Sequence, residues 1–171
     1  MKKLVFLTTI IALFLCSCAK TTTTELTAEQ KATIEKEVRD QYDGLVSTLN
    51  QLDINPWYEY WSQDQFISMN SGVNYFPKLS VWTDSVSYWL SKRERQQVEL
   101  VEVHANALTS ELVILISKAN WDVMFKSEEH LIFRAVVSLL WKKEETGWKI
   151  IAGHESWQPI EETIRHIVLC Y

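Results

Sequence analysis

After Gln97 the chain changes character. Val98 to Leu108, Glu111 to Phe125, Glu129 to Lys142 and Trp148 to Trp157 are alternating or continuously apolar, and rich in β-branched and aromatic side chains. Four consecutive strands follow from that pattern. The breaks between them, Leu108-Thr109-Ser110-Glu111, Lys126-Ser127-Glu128 and Lys143 to Gly147, are short and polar, so neighbours pair antiparallel through hairpin loops. Strands of this length twist and coil, which makes a flat sheet impossible and a curved one the expectation.

The residues before the switch read as helices. Thr27 with Gln30 has the form of a capping box, and Ile34, Val38, Tyr42, Leu45, Leu49 and Leu52 share one stripe at helical spacing, predicting a helix over about 27 to 51. Asn55-Pro56 is an N-cap and first-turn pair for a short second helix bearing Trp57, Tyr58, Tyr60 and Trp61. Gln65 to Met69 reads as a short strand and Asn70-Ser71-Gly72 as a turn. Leu79, Trp82, Val86 and Trp89 mark a third helix, with Lys92, Arg93 and Arg95 where its C-terminus favours positive charge. Helices followed by strands give an α+β domain: a long N-terminal helix and two shorter ones packed in the concave face of a strongly curved antiparallel sheet, enclosing a cone.

The N-terminus predicts export. Lys2-Lys3 precede Leu4 to Leu15, an apolar run of signal-peptide length that is too short to span a bilayer. Leu15-Cys16-Ser17-Cys18 resembles a bacterial lipobox, which makes 1–17 a lipoprotein signal peptide and Cys18 the lipidated first residue of the mature chain. An ordinary cleaved signal that happens to end in Cys is the alternative. Residues 18–26 then form a Thr-rich tether, 27–158 the domain, and 159–171 a tail read as a short terminal helix, with an edge strand as the other reading.

Loss of Lys2 and Lys3 with the signal leaves 15 basic residues against 22 acidic ones, a formal charge of −7 that argues against nucleic acid and against a polybasic membrane contact. Cys170 alone remains unmodified, so the mature chain has no internal disulfide and relies on its core. Eight Trp, six Tyr and six Phe can fill a core or line an apolar pocket equally well.

The order of elements, together with the ending Gly147-Trp148-Lys149-Ile150-Ile151-Ala152-Gly153-His154-Glu155-Ser156, resembles the nuclear transport factor 2-like superfamily, of the SnoaL-like and ketosteroid-isomerase-like kind. That resemblance implies a cone-shaped scaffold shared by isomerases, dehydratases, cyclases, ligand-binding domains and assembly modules, so function must be argued from the site. It also implies an Asp base on the short strand after the second helix and a Tyr on the first helix. Here the base position falls at Ile67-Ser68-Met69-Asn70, with no carboxylate, and the Tyr position near Leu45, one turn from Tyr42. Asn and Met cannot shuttle a proton, which speaks against the steroid-isomerase mechanism.

Strand alternation places Ile150, Ala152, His154 and Ser156 on one face. If that face is concave, His154 and Ser156 enter the cone beside Tyr42, Trp61 and Trp82, and His154 is either a ligand or acid-base group or a histidine tied by a structural hydrogen bond. Arg134 shares a face with Ile132 and Val136, where it pairs with a carboxylate or offers an anion site. His104, His130 and His166 lie on separate elements at no metal-ligand spacing, and four Gly supply no phosphate loop, so no metal or cofactor is expected. Three functions stay open: a non-catalytic lipid-anchored domain holding a small, mostly apolar ligand or a protein partner; a SnoaL-like isomerase, cyclase or hydrolase using His154; and a homodimer formed through the sheet. The first is the reading preferred, with the domain held by Cys18 at a cell or outer membrane and facing the periplasm or the cell surface.

Overall fold

The structure, a computed structural model, describes residues 25–160. Cys18, the signal, most of the tether and the terminal helix expected after Pro159 fall outside the described residues. Helix α1 (Ala28–Asn50) is opened by the Thr27–Gln30 capping box, in which side chain and backbone exchange hydrogen bonds of 2.9 and 3.2 Å. Its apolar stripe buries Val38, Tyr42, Leu45 and Val46. Helix α2 (Ile54–Tyr58) starts two residues earlier than expected: Asp53 is the N-cap, accepting from Asn55 N at 3.0 Å, and Pro56 sits inside the first turn, where no amide donor is needed.

Strands β1 (Ser68–Ser71) and β2 (Asn74–Phe76) form a hairpin in place of the single strand and turn expected at 65–72. Gly72, at φ +58, occupies the first position of the two-residue loop, the place such hairpins give to glycine. Helix α3 (Leu79–Lys92) runs directly into β3 (Arg93–Ala107), which begins five residues before the Val98 predicted. Then follow β4 (Leu112–Phe125), β5 (His130–Glu144) and β6 (Gly147–Pro159).

The six strands make one open sheet in the order β2-β1-β6-β5-β4-β3. Consecutive long strands are antiparallel, as expected, while β1 lies parallel to β6 and so brings the hairpin beside the last strand. Three breaks of register matter for what faces inward. On β3 they fall between Arg93 and Arg95 and between Leu100 and Glu102; on β6, Trp141 pairs with Ile150 but Leu140 with Ala152, leaving Ile151 as an extra residue. Each such bulge bends the strand and reverses its inside-outside alternation. The helices pack against the concave face, and the core joins Val38, Tyr42 and Leu45 of α1 to Val113, Leu115, Leu139, Trp141 and Ile150 of the sheet.

Candidate functional site

Between the helices and the sheet lies a cavity of about 290 Å³, at the small end of the range of about 300–1,000 Å³ usual for ligand pockets. Two aromatic walls face it. One is built by α2, the residues just after it, β2 and α3: Trp57 and Trp61 are 5.2 Å apart between ring centres, Trp61 and Trp82 5.9 Å, and Phe76 and Trp82 5.0 Å. The other is on the sheet, where Trp121 stacks on Phe133 at 5.5 Å and 17°, and Trp157 meets Phe133 edge-on at 6.0 Å. Trp89 and Trp157 are about half exposed, at 50% and 53%, and mark where the cavity reaches the surface.

Few polar groups enter this lining, and each has a distinct environment. Tyr42 projects from α1, and its hydroxyl is hydrogen-bonded to Ser117 Oγ at 2.5 Å, both residues being buried. Burial pushes the phenol pKa above its ordinary value, so it stays protonated. Glu155 accepts a hydrogen bond of 2.5 Å from Ser71 Oγ on the neighbouring strand β1. The surface it leaves uncovered belongs to the cavity, and burial raises its carboxyl pKa; the Ser71 bond and the charges of Arg93 and His154 oppose that rise without cancelling it.

Arg93, at the corner where α3 turns into β3, donates from Nη1 to Gln96 Oε1 and lies 5.8 Å from the centre of the Trp121 ring. Its Nε is buried with no hydrogen-bond partner, no carboxylate comes within ion-pair distance among the described residues, and burial lowers its pKa to about 10. Trp61, Trp82 and Trp121 likewise have buried indole N–H groups without a partner.

Of the residues expected at the site, Tyr42, Trp61 and Trp82 line the cavity. His154, Ser156 and Arg134 do not. All three are exposed on the outer face of the sheet, where His154 pairs across from Ser138, Ser156 from Val136, and Arg134 donates from Nε to Asn120 Oδ1 at 3.2 Å, so Arg134 has an amide rather than a carboxylate partner. The extra residue Ile151 explains the reversal on β6. Trp148 and Ile150 point inward before the bulge, as alternation predicts, and Glu155 and Trp157 do so after it. Two consecutive buried isoleucines followed by Gly153, whose missing side chain leaves room for Met69 and Leu139, are the trace of that bulge in the sequence. Arg93 was hidden differently, since a basic residue after a helix reads as a helix-end charge. His104 and His130 are exposed, the latter 3.0 Å from Asp122, and among the described residues no three His, Cys, Asp or Glu stand where they could hold a metal ion.

A SnoaL-like domain model matches residues 38–161, well over half of the sequence. The chain belongs to the SnoaL-like domain family. Solved structures share the fold at low identity. A candidate dehydratase of the NTF2-like family from Streptomyces avermitilis is 15% identical, with 77% of this chain and 99% of that one covered and a TM-score of 0.65. An NTF2-like superfamily protein from Salmonella enterica is 12% identical, covering 73% and 91%, with a TM-score of 0.67. A hexachlorocyclohexane dehydrochlorinase from Novosphingobium barchaimii is 8% identical, covering 79% and 95%, with a TM-score of 0.62. Among curated proteins none matches the chain. Proteins that share this fold thus include a named enzyme, and at these identities the likeness is one of fold.

Proposed function

We propose that this SnoaL-like chain is an exported, lipid-anchored domain that encloses one small, mostly apolar ligand in its cavity. The observation that carries the binding reading is the cavity itself: two aromatic walls around about 290 Å³, open at Trp89 and Trp157, with a handful of polar groups to orient an occupant. Export and anchoring rest on the lipobox at Cys18. The neutral probe 2-naphthylmethanol, followed by quenching of tryptophan fluorescence, tests the binding reading. Saturable binding of one molecule per chain is expected, together with its loss in Ala135→Phe, because Ala135 is a buried lining residue and a benzyl group there fills the space. A folded Ala135→Phe protein that binds as the wild type does would overturn the reading.

Glu155 favours a second reading. A carboxyl with a raised pKa inside an aromatic cavity is suited to take a proton from a bound molecule, so Glu155, and not the outward-facing His154, is the acid-base group of any enzymatic activity. Turnover that survives Glu155→Gln would remove this assignment.

A further inference from the structure

Arg93 and Glu155 are the only charged side chains lining the cavity among the described residues, and they do not form an ion pair with each other. A guanidinium always carries its charge in a protein and brings five N–H donors in a planar fork. Arg93 commits Nη1 to Gln96, and among the described residues no other hydrogen bond from its head is formed. A cation in an apolar space is costly until a counter-charge meets it. An occupant with an anionic end and a flat apolar body meets both the unpaired cation and the two aromatic walls.

We propose that the cavity selects a small aromatic monocarboxylate, with Arg93 receiving the carboxylate and Glu155 standing beside it as a neutral hydrogen-bond donor. This deepens, and rests on, the reading that the cavity holds a small, mostly apolar ligand. A single negative charge fits because one cation lines the site; a phosphate ester would bring nearly two charges into a space with one Arg and no Lys. The planar carboxylate suits the fork of the guanidinium. Glu155 must then be protonated, since two carboxylates side by side in an apolar space repel. The titratable groups bearing on Glu155 are Arg93 from β3, Tyr42 from α1 and His154 next to it on β6, while β1 offers Ser71, α3 offers Ser85, and β5 offers the apolar Ala135, Val137 and Leu139.

The test is a matched probe set, 2-naphthoate, 2-naphthamide and 2-naphthylmethanol, titrated by tryptophan quenching against the mature domain above about pH 5.5, where the naphthoate is ionised. The wild type is expected to bind naphthoate at least about tenfold more tightly than either neutral probe, a difference of about 1.4 kcal/mol. Arg93→Gln should abolish that preference and keep the neutral probes bound. Glu155→Gln should keep the preference but remove the loss of naphthoate affinity that the wild type shows as pH rises. Neutral probes that bind as well as naphthoate to the wild type would overturn the carboxylate assignment and leave the ligand reading standing; failure of all three to bind would overturn both. The wild-type comparison decides the matter even if Arg93→Gln does not fold. A wild-type naphthoate affinity that is flat with pH would overturn the role given to Glu155.

Discussion

Removing the hydroxyl of Tyr42 should cost stability without costing ligand affinity. The phenol of Tyr42 and Ser117 Oγ are 2.5 Å apart, on elements 75 residues distant in sequence, with residue exposures of 4% and 1%. Neither oxygen has another hydrogen-bond partner among the described residues, so Tyr42→Phe strands Ser117 and Ser117→Ala strands the phenol. Leaving a buried hydroxyl unsatisfied costs about 1–3 kcal/mol, whereas replacing both partners by apolar groups is nearly neutral. Each single variant should therefore lose about 1–3 kcal/mol, and the double variant Tyr42→Phe/Ser117→Ala clearly less than the sum, with a coupling of about 1 kcal/mol or more. Urea unfolding of the four proteins measures this, provided the slope with denaturant is the same in all. Because the hydroxyl is committed to Ser117, binding of 2-naphthylmethanol should change by less than about threefold in Tyr42→Phe. Additive losses would show that the two oxygens do not depend on each other; a large drop in affinity would show that the phenol serves the ligand.

Glu155→Gln should stabilise the domain at neutral pH. The folded-state pKa of Glu155 is raised, so its contribution to stability is fully present below the ordinary carboxylate range and is lost as pH rises through the folded value; the variant's advantage should vanish in acid, as urea unfolding at several pH values would reveal, and a gain that persists in acid would contradict the sign. His154→Ala, on the outer face, should alter stability by no more than about 0.5 kcal/mol and leave probe binding unchanged, and a loss of binding would place His154 back at the site. Cys18→Ser should release the chain from membranes on cell fractionation once uncleaved precursor is excluded, while Cys16→Ser should not; each buried methylene of an attached lipid contributes about 0.8 kcal/mol, and the Thr-rich tether has nothing to replace it.

Much of the fold was legible because its elements are long and their periods differ. The stripe of α1 and the four strands of β3 to β6 announce themselves through side-chain spacing, and their order predicts helices laid on a curved sheet. The candidate site was only half legible for the same reason. Tyr42, Trp61 and Trp82 face inward from helices, or from a single bridge beside one, where spacing maps straight to direction. The polar groups of the sheet do not, since a strand's alternation holds only until one residue is inserted. Ile151 is that residue on β6. It moves the inward phase from even to odd positions, sending His154 and Ser156 outward and Glu155 inward, so the titratable group of the cavity becomes an acid in place of a histidine. The same device acts at the start of β3, where a break of register beside Arg93 lets its side chain enter the cavity while Gln96 and Val98 also point in. Arg93 sits beside a departure from regular pairing and Glu155 four residues beyond one, on a strand whose alternation alone would have misplaced it. Bulges that curve the sheet around the helices are also what turn polar side chains into the space that curvature creates.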